Sequence, residues 1–148
     1  MAARLGWGVL GTAQIATNRV IPAIDKSSNG RVVAIASRDP DKARAAARDL
    51  HIPKAYGAYQ ALLEDPDVSA VYIPLPNSLH RQWTIRAAEA GKHVLCEKPL
   101  AMNAAEAEEM LAACKTHRVY LMEAFMYRFH PRTQEVIRLV REGAVGLV

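Results

Sequence analysis

Two overlapping glycine patterns stand near the start of the chain, and each is a candidate phosphate-binding loop. Gly6, Gly8 and Gly11 spell G-x-G-x-x-G, whereas Gly11, Ala13 and Ala16 spell the looser G-x-A-x-x-A. A loop of this kind, set between a strand and a helix, brings backbone N–H groups to a phosphate. The two patterns cannot both be that loop, because the loop must follow directly on a buried strand.

The strand in front of each pattern decides between them. Residues 1–5 (MAARL) are too short and too polar for a central buried strand, whereas residues 5–10 (LGWGVL) form an apolar run that ends at Gly11. Gly11 is therefore predicted to make the tight turn of the loop, and Gly6 and Gly8 to lie inside the strand. The phosphate site then falls at the carboxyl end of the first strand, where doubly wound folds bind dinucleotides.

The residues after Gly11 supply the groups that would meet the phosphates. Thr12, Ala13, Gln14 and Ile15 begin a helix whose first N–H groups have no partner within the helix and whose dipole is positive at this end. Ala13 replaces the usual second glycine, so its methyl group is tolerated near a pyrophosphate only if its φ is negative. For the motif taken alone, a plain strand–turn–helix without a ligand remains the alternative.

A serine and an arginine follow the second predicted strand. Ser37 can hydrogen-bond a 2′-phosphate, and the guanidinium of Arg38 can pair with that phosphate and stack on adenine. Asp39, which precedes a proline, is better explained as the cap of the next helix than as the ribose-binding acid of an NAD site. NADP(H) is therefore the preferred cofactor and NAD(H) the second possibility. The alternative is that Arg38 is only a solvated loop charge.

Apolar stretches that are typical of strands alternate with helical stretches along the whole chain. The predicted strands cover residues 5–10, 31–37, 54–56, 68–76, 93–97 and 119–125. The predicted helices cover residues 13–26, where Pro22 interrupts the pattern, 39–50, 58–64, 79–90, a long helix capped by Asn103, and 131–142. This alternation predicts an α/β fold, a doubly wound (Rossmann) parallel sheet of about six strands with helices on both faces, as one domain over residues 1–148.

Composition and charge exclude several classes of function. The net charge is +4, but the basic residues are dispersed among acids, so no nucleic-acid partner is predicted. No apolar run reaches the roughly 18 residues of a membrane span, and the N-terminus lacks the apolar core of a signal peptide, so a cytoplasmic protein without membrane contact is expected. Cys96 and Cys114 are predicted to be reduced core thiols. His51, His93 and His117 are dispersed, and no metal site is predicted.

The fourth and fifth predicted strands end in residues that could serve the other end of a dinucleotide. If the phosphates lie at Gly11, the nicotinamide lies over these two strand ends. Pro74 and Leu75 end one of them, and Leu75 can pack on the ring; Asn77 can contact the ribose or simply cap the following helix. Lys98 ends the other, where an ammonium can exchange a proton with an alcohol or carbonyl oxygen.

Several stretches together resemble one enzyme family, the Gfo/Idh/MocA oxidoreductases, over nearly the whole chain. They are WGVLGTAQIA (7–16), ASRDPDKA (36–43), YIPLPNSLH (72–80), CEKPL (96–100) and EAFMYRFHP (123–131). The resemblance is to the N-terminal NAD(P)-binding domain of that family. Glu-Lys-Pro at a strand end, with P-x-P-N-x-x-H upstream, is the specific part of the match, and Ala13 is the departure from it.

The resemblance implies roles for individual residues. Lys98 is implied as the catalytic or substrate-orienting residue, joined to Pro99 by a bond that is commonly cis, and Glu97 as a residue that positions the nicotinamide ribose or Lys98. Arg128 is implied to help hold cofactor or substrate, with support of a further domain by this segment as an equal alternative. His80 is counted among the residues at the cofactor, but direct catalysis by a partly buried histidine in a first helical turn is not expected.

Family members are more than twice as long as this chain, so the resemblance also implies a second α/β domain that starts near residues 125–148. That domain would cover the nicotinamide, contact most of the substrate and form the interface of a homo-oligomer. The expected function is the cofactor-binding half of an NADP-dependent oxidoreductase acting on a hydroxyl or carbonyl of a sugar or cyclic polyol, inactive by itself. The alternative is a stand-alone NAD(P)-binding module, a sensor or scaffold without chemistry.

Overall fold

A computed structural model describes residues 4–146, and it contains a single six-stranded sheet flanked by helices. The ends of the predicted 1–148 domain, residues 1–3 and 147–148, lie outside the described residues. The strands are β1 (Leu5–Leu10), β2 (Gly30–Ala36), β3 (Lys54–Tyr56), β4 (Ala70–Ile73), β5 (His93–Cys96) and β6 (Leu121–Glu123). The helices are α1 (Ile21–Lys26), α2 (Pro40–Asp49), α3 (Tyr59–Leu63), α4 (His80–Glu89), α5 (Ala104–Thr116) and α6 (Pro131–Arg141).

The order of the strands confirms the predicted doubly wound fold. It is β3-β2-β1-β4-β5-β6, and every neighbouring pair is parallel. The chain leaves β1 toward one edge and returns to β4 on the other side of it, so the winding reverses between β1 and β4. In open parallel sheets this reversal creates a crevice outside the carboxyl ends of the strands, where ligands bind.

Each face of the sheet has its own apolar core, because successive residues of a strand point to opposite faces. On one face, α3, α4 and α5 pack on residues such as Leu10, Val71 and Ile73. On the other face, Val9 and Tyr72 lie in a core with residues of the α1 region and α2. All four residues of β4 are buried, as expected for a central strand covered on both faces.

The strand β1 must pass very close to the segment that precedes β4. Gly6 has no side chain to obstruct this approach, and its carbonyl accepts a hydrogen bond from the Ser69 N–H at 2.9 Å. A Cβ atom on Gly6 would collide with the carbonyl oxygen of Asp67. Gly6 and Gly8 both lie within β1, which confirms that they are strand glycines, and the turn that follows the strand is at Gly11.

The helix after β1 differs from the regular one that the apolar spacing predicts. Its middle, Ala16–Val20, is π-helical, and α1 continues from Ile21 with Pro22 in its first turn. A proline has no N–H to donate and crowds the preceding turn, so a widened turn ahead of Pro22 lets the helix continue instead of breaking. The predicted helix therefore exists over the expected length but with this irregular centre.

The other element boundaries differ from the prediction by a few residues. The strand predicted over 68–76 ends at Ile73, because Pro74 and Pro76 cannot donate to a ladder, and the last strand is only Leu121–Glu123. Asp39 caps α2 as predicted, since its Oδ1 accepts hydrogen bonds from Asp41 N–H at 3.0 Å and Lys42 N–H at 3.3 Å. No helix among residues 4–146 is long and apolar enough to cross a membrane.

Candidate functional site

Gly11 makes a turn that an L-amino acid with a side chain would adopt only under strain. Its φ is +113°, and its N–H donates to the carbonyl of Ala36 at 2.7 Å, which fixes the turn to the end of β2. A Cβ atom at Gly11 would stand 3.1 Å from Leu75 Cδ2. The turn is therefore the point where the loops after β1, β2 and β4 approach one another.

The segment after Gly11 presents backbone N–H groups that the protein itself does not use. Among the hydrogen bonds of the described residues, none involves the N–H of Thr12 or Ala13. Gln14 and Ile15 form the first helical turn, where an N–H has no acceptor within the helix. Ala13 is not one of the described non-glycine residues with positive φ, so its methyl group meets the condition set by the sequence.

The loop after β2 exposes two cations beside a buried serine. Ser37 is 8% exposed, and its Oγ accepts a hydrogen bond from the Asp39 N–H at 3.2 Å. Arg38 projects from the same loop and is exposed. Lys42 follows in the first turn of α2, with its Nζ 4.0 Å from Asp39 Oδ2. The cap at Asp39 thus holds the loop in a conformation that leaves both cations available.

These loops enclose a groove of about 270 Å³ at the carboxyl ends of β1, β2 and β4. Its lining residues are Gly11, Thr12, Ala13, Ser37, Arg38, Asp39, Lys42, Tyr59, Pro74, Leu75 and Pro76. The structure therefore brings together seven of the predicted site residues, namely Gly11, Thr12, Ala13, Ser37, Arg38, Pro74 and Leu75. Gln14 and Ile15 lie beside the groove, at the start of the helix that follows it.

Four lining residues are not among the predicted site residues: Asp39, which was predicted only as a helix cap, Pro76, Lys42 and Tyr59. Lys42 lies one helical turn after Arg38 but reads as an ordinary solvated helix charge. Tyr59 begins α3 and is 6% exposed; its ring packs edge-on against Trp83 with centroids 4.9 Å apart, and its hydroxyl points toward Gly11. A tyrosine at a helix start carries no local signal for a ligand, because only the tertiary fold brings its hydroxyl to the loop of another strand.

A second group of polar residues lies where β4 and β5 end. Tyr72 is fully buried in β4, and its hydroxyl donates to Glu97 Oε1 at 2.7 Å. The other oxygen of the same carboxylate accepts from the Lys98 N–H at 3.2 Å. Burial, reinforced by the hydrogen bond to Glu97 and by its charge, raises the pKa of Tyr72. The hydroxyl therefore stays protonated and keeps donating to the carboxylate.

Lys98 is held through its backbone while its side chain extends into solvent. The Lys98–Pro99 peptide bond is cis, as the resemblance implies. The Leu100 N–H donates to Glu123 Oε1 at 2.8 Å, so a carboxylate from β6 fixes the far side of the turn. Among the described residues no ion pair or hydrogen bond involves the Lys98 ammonium. Lys98 is thus presented at the carboxyl edge of the sheet with its ammonium unengaged.

A small apolar pocket of about 160 Å³ adjoins Glu97. Its lining residues are Val20, Tyr72, Leu95, Glu97, Met122, Ala124, Phe125, Met126 and Phe129. A larger apolar groove of about 600 Å³ runs past Ile15, Arg19 and Met126, but Arg19 is the only charged residue that lines it. Neither offers the turn, free N–H groups and paired cations of the groove at Gly11.

The prediction for His80 was wrong in one respect. The side chain is not partly buried but has no exposed surface, and its two ring nitrogens lie 2.8 Å from the carbonyl oxygen of Leu75 and 2.9 Å from that of Pro99. A ring so enclosed does not reach a cofactor in this conformation. The sequence placed His80 correctly in the first turn of α4 but could not show that two loops fold over it.

Two other predicted residues lie outside the groove at Gly11. Asn77 does not cap α4; it begins a short 3₁₀ segment, Asn77–Leu79, and Leu79 occupies the cap position without a side-chain hydrogen bond. Arg128 lies in a second 3₁₀ segment, Met126–Phe129, and lines a separate pocket with residues of α6. The structure therefore does not bring Arg128 to the groove at Gly11.

The two cysteines and the histidines show no further reactive centre among residues 4–146. Cys96 and Cys114 are both free and buried, and burial raises the pKa of the Cys96 thiol to about 12. A thiol that stays protonated is a poor nucleophile and a poor metal ligand. Within this part of the chain, no group of three or more His, Cys, Asp and Glu side chains is placed to hold a metal ion.

Comparison with protein-family models identifies the family to which most of the chain is similar. The model of the family GFO_IDH_MocA, described as an oxidoreductase family with an NAD-binding Rossmann fold, matches residues 5–125. The match therefore includes all six strands and both groups of site residues described above, apart from Arg128.

Among curated proteins, two similar ones are dehydrogenases. D-xylose 1-dehydrogenase (NADP(+)) 2 of Haloferax volcanii is 53% identical over 141 residues, which make up 94% of this chain and 43% of that protein. Trans-1,2-dihydrobenzene-1,2-diol dehydrogenase of Xenopus tropicalis is 41% identical over 145 residues, which make up 95% of this chain and 43% of that protein.

Among solved structures, a 3-ketoreductase from Actinomadura kijaniata in complex with TDP-benzene and NADP is similar to this chain. The two share 41% sequence identity with a TM-score of 0.89, over 97% of this chain and 45% of that one. The chain thus spans less than half the length of the relatives that it matches.

Proposed function

The chain belongs to the GFO_IDH_MocA family of oxidoreductases, and from this premise we propose that it is the cofactor-binding half of an NADP-dependent oxidoreductase. The observation that carries the proposal is the groove at Gly11, which combines a glycine turn with positive φ, unused N–H groups and two cations beside a buried serine. A dinucleotide phosphate needs these groups at the carboxyl edge of such a sheet.

The residues of the groove divide between the two phosphate sites of NADP. Gly11, Thr12 and Ala13 would hold the pyrophosphate through backbone N–H groups, assisted by the hydroxyl of Tyr59, which points into this part of the groove. Arg38, with Ser37 and Lys42, would bind the 2′-phosphate of the adenosine ribose. A phosphate monoester gains more from a guanidinium and an ammonium than a ribose hydroxyl does, so these residues favour NADP over NAD.

The nicotinamide end of the cofactor would lie near Leu75 and the residues at the ends of β4 and β5, Glu97 and Lys98. When bound, the nicotinamide ring supplies or accepts the hydride. Leu75 would pack against that ring, Glu97 would orient its ribose, and the Lys98 ammonium would stand at the substrate oxygen. Oxidation of an alcohol removes a proton from oxygen as well as a hydride from carbon, and Lys98 is the residue that exchanges this proton or orients the hydroxyl.

The substrate class follows from the relatives and is part of the same proposal. The similar proteins act, by their names, on xylose and a cyclic diol, and the solved relative is a ketoreductase bound to a TDP derivative. All of these names refer to hydroxyl or carbonyl chemistry. We therefore propose a carbohydrate or cyclic polyol as the small-molecule substrate of the protein to which this chain corresponds.

One observation favours a second function, a binding module without chemistry. Met126, Tyr127 and Phe129 are exposed beside the carboxyl edge, and no described residue covers the Lys98 ammonium. Water has free access there, and hydride chemistry benefits from its exclusion. The presence of a lysine held through its backbone favours the enzyme, since a pure binder has no need of a free ammonium at the hydride end.

The test is calorimetric titration of this chain with NADPH and with NADH. NADPH is expected to bind more tightly, and Arg38→Ala to weaken NADPH binding by about 10- to 100-fold, since a charge-assisted hydrogen bond contributes about 1.5–3 kcal/mol. NADH binding should weaken much less, because NADH can lose only the stacking of Arg38 on adenine and has no 2′-phosphate. The matched control is Arg44→Ala, which removes the same charge from α2 outside the groove and should alter neither affinity.

The outcomes separate the parts of the proposal. Equal affinity for the two cofactors, unaffected by Arg38→Ala, would refute the assignment of the 2′-phosphate site. Absence of binding for both cofactors would refute the dinucleotide site itself.

A further inference from the structure

His80 is a buried titratable side chain that the proposed chemistry does not use. It begins α4 and has no exposed surface. Its Nε2 lies 2.8 Å from the carbonyl oxygen of Leu75, in the loop after β4, and its Nδ1 lies 2.9 Å from the carbonyl oxygen of Pro99, in the loop after β5. One imidazole therefore connects two loops that end neighbouring strands.

Each ring nitrogen of His80 lies within hydrogen-bond distance of a carbonyl oxygen, and a carbonyl oxygen only accepts hydrogen bonds. In either tautomer the ring N–H donates to one of the two carbonyls, while the other ring nitrogen keeps the second loop in contact with the same side chain. Leu75 is itself buried, and a buried carbonyl without a donor is costly. The enclosed ring thus contacts a carbonyl oxygen that water cannot reach.

No backbone ladder replaces this connection. The last backbone hydrogen bond between the two strands runs from the Glu97 N–H to the Ile73 carbonyl at 3.1 Å. Beyond it, the described residues of the two loops share no backbone hydrogen bond. The separation of the loops after this point therefore depends on side chains, and His80 contacts both.

The loop that carries Lys98 is fixed from its other sides as well. The Leu100 N–H donates to the carboxylate of Glu123 in β6, and the carboxylate of Glu97 accepts from the Lys98 N–H and from the Tyr72 hydroxyl of β4. These contacts tie the loop to β6 and β4. Leu75 and Leu100 also belong to one apolar core, and among the described residues His80 is the side chain that hydrogen-bonds to both loops.

We propose that His80 is a positioning residue that sets the separation between the Leu75 loop (residues 74–79) and the Lys98 loop (residues 97–100). The inference rests on the proposed function, in which Leu75 packs on the nicotinamide and Lys98 stands at the substrate oxygen. A fixed separation keeps the ammonium at a constant distance from the ring. His80 is expected to act on the nicotinamide end more than on the 2′-phosphate site, whose residues lie in the loop after β2 and in α2 and not in either loop that His80 contacts.

Two substitutions separate the two contacts. The amide nitrogen of Asn lies near the position of Nδ1, so His80→Asn keeps the contact to Pro99 and loses that to Leu75. The amide nitrogen of Gln lies near the position of Nε2, so His80→Gln does the reverse. The control is His93→Gln, which removes a histidine whose Nδ1 accepts a backbone hydrogen bond from Tyr120 at 3.0 Å, at the start of β5 and far from both loops.

The measurements compare NADPH with 2′,5′-ADP, which lacks the nicotinamide. Either His80 variant is expected to weaken NADPH binding by roughly three- to tenfold, the effect of one hydrogen bond, and to change the fluorescence of bound NADPH. The affinity for 2′,5′-ADP should stay within about twofold. His93→Gln should change neither affinity nor the fluorescence.

Each other outcome overturns the inference. Unchanged NADPH binding and fluorescence in both variants would show that the bridge does not matter to the nicotinamide end. A parallel loss of affinity for both ligands, with a lower melting temperature, would show a merely structural histidine. If the unsubstituted chain bound neither ligand, the proposed function would fall first, and the inference with it.

A measurement without substitution decides the matter if the variants do not fold. Nitrogen NMR of the His80 ring in the unsubstituted chain is expected to show signals that shift on addition of NADPH but not of 2′,5′-ADP. Ring signals that respond equally to both ligands, or to neither, would overturn the inference.

Discussion

Two hydrogen-bonded clusters of this molecule each contain a lysine and carboxylates, yet they are built for different purposes. The Asp65 cluster (Lys54, Tyr56, Asp65 and Asp67) ties β3 to the segment that precedes β4. The Glu97 cluster (Tyr72, Glu97 and Lys98, with Glu123 bonded to the same loop through the Leu100 N–H) lies where β4, β5 and β6 end. The Asp65 cluster therefore lies at the end of the sheet where β4 begins, and the Glu97 cluster lies at the end where β4 finishes.

The lysines of the two clusters show the difference. Lys54 Nζ lies 2.9 and 3.0 Å from the two oxygens of Asp65 and 2.7 Å from Asp67 Oδ2. Its ammonium is therefore paired with carboxylates inside the cluster. Lys98 takes part only through its backbone N–H, and its ammonium has no partner among the described residues. The ammonium of Lys54 is used by the fold, because its hydrogen bonds join two segments of the protein. The ammonium of Lys98 is available to a ligand, because only the backbone of this residue is hydrogen-bonded.

The largest expected effect comes from neutralising the carboxylate of the structural cluster. Asp65 is buried and accepts hydrogen bonds from Lys54, Tyr56 and the Asp67 N–H. Asp65→Asn should lower the free energy of unfolding by about 2–3 kcal/mol, somewhat less than for a fully buried pair because Lys54 is partly exposed. Urea denaturation measures this. NADPH affinity should not change.

The matched variant in the other cluster is Glu97→Gln. It should cost less free energy of unfolding than Asp65→Asn, because Glu97 is only half-buried, but it should weaken NADPH binding. If Asp65→Asn weakened cofactor binding as strongly as Glu97→Gln, the distinction between the clusters would fail.

Acid dependence sharpens the same comparison. Burial by itself would raise the pKa of Asp65, but the hydrogen bonds from Lys54, Asp67 and Tyr56 outweigh it and hold that pKa below the ordinary value of 3.8. The carboxylate therefore stabilises the fold fully above about pH 4, and this contribution is lost as the pH falls through the lowered pKa. The stability advantage over Asp65→Asn should shrink in acid; an advantage that stays constant would contradict this.

The next effect concerns Tyr72, whose hydroxyl supports Glu97. Tyr72→Phe should lower the free energy of unfolding by about 1–2 kcal/mol near neutral pH, because the carboxylate loses a donor. The pKa of Tyr72 is raised by burial and by Glu97 above the ordinary 10.0, so its proton-linked stability is complete below pH 10.0 and is lost as the pH rises beyond it. The difference between the two proteins should therefore narrow in urea denaturation at about pH 10.5.

The control for this measurement is Tyr120→Phe. Tyr120 is 81% exposed, and its removal should change the free energy of unfolding by less than about 0.5 kcal/mol at both pH values. A difference for Tyr72→Phe that widened with pH would contradict the assigned direction.

Local signals were enough to predict most of the fold. The apolar runs of β1, β2, β4 and β5 are visible in the sequence because a strand buried on both faces is apolar throughout. Gly11 and the Asp39 cap were predicted for the same reason, since a tight turn and a helix start each demand particular residue types. These features depend on neighbours in the chain.

Features that depend on distant residues could not be predicted. Tyr59, Lys42 and the burial of His80 result from loops of different strands that meet only in the folded chain. The π-helical turn ahead of Pro22 is a local strain whose outcome, a widened turn or a broken helix, the sequence pattern leaves open. The lining of the groove at Gly11 was therefore predicted where a motif identifies the residue, and it was not predicted where the packing of distant segments brings the residue there.

A paired substitution of the two lysines tests the central contrast directly. Lys54→Met leaves Asp65 and Asp67 without their shared cation and should lower the melting temperature clearly. Lys98→Met removes an exposed ammonium with no partner among residues 4–146 and should leave the melting temperature unchanged. Equal melting temperatures for the two variants would show that the satisfied lysine has no structural role.

The smallest expected effect belongs to a third lysine, Lys42, which stands between these two cases. Its one described contact, with Asp39 Oδ2 at 4.0 Å, is long, and its side chain is 71% exposed, so the fold gains little from it. Its ammonium lines the groove beside Arg38, however, and there it would act on a 2′-phosphate across water. Lys42→Met should therefore weaken NADPH binding about two- to threefold, leave NADH binding and the melting temperature unchanged, and lose its effect at high salt.

The control is Lys26→Met, outside the groove. An equal effect on NADPH and NADH would mean that Lys42 binds the pyrophosphate instead, whereas a lower melting temperature would place it with Lys54 as a residue of the fold.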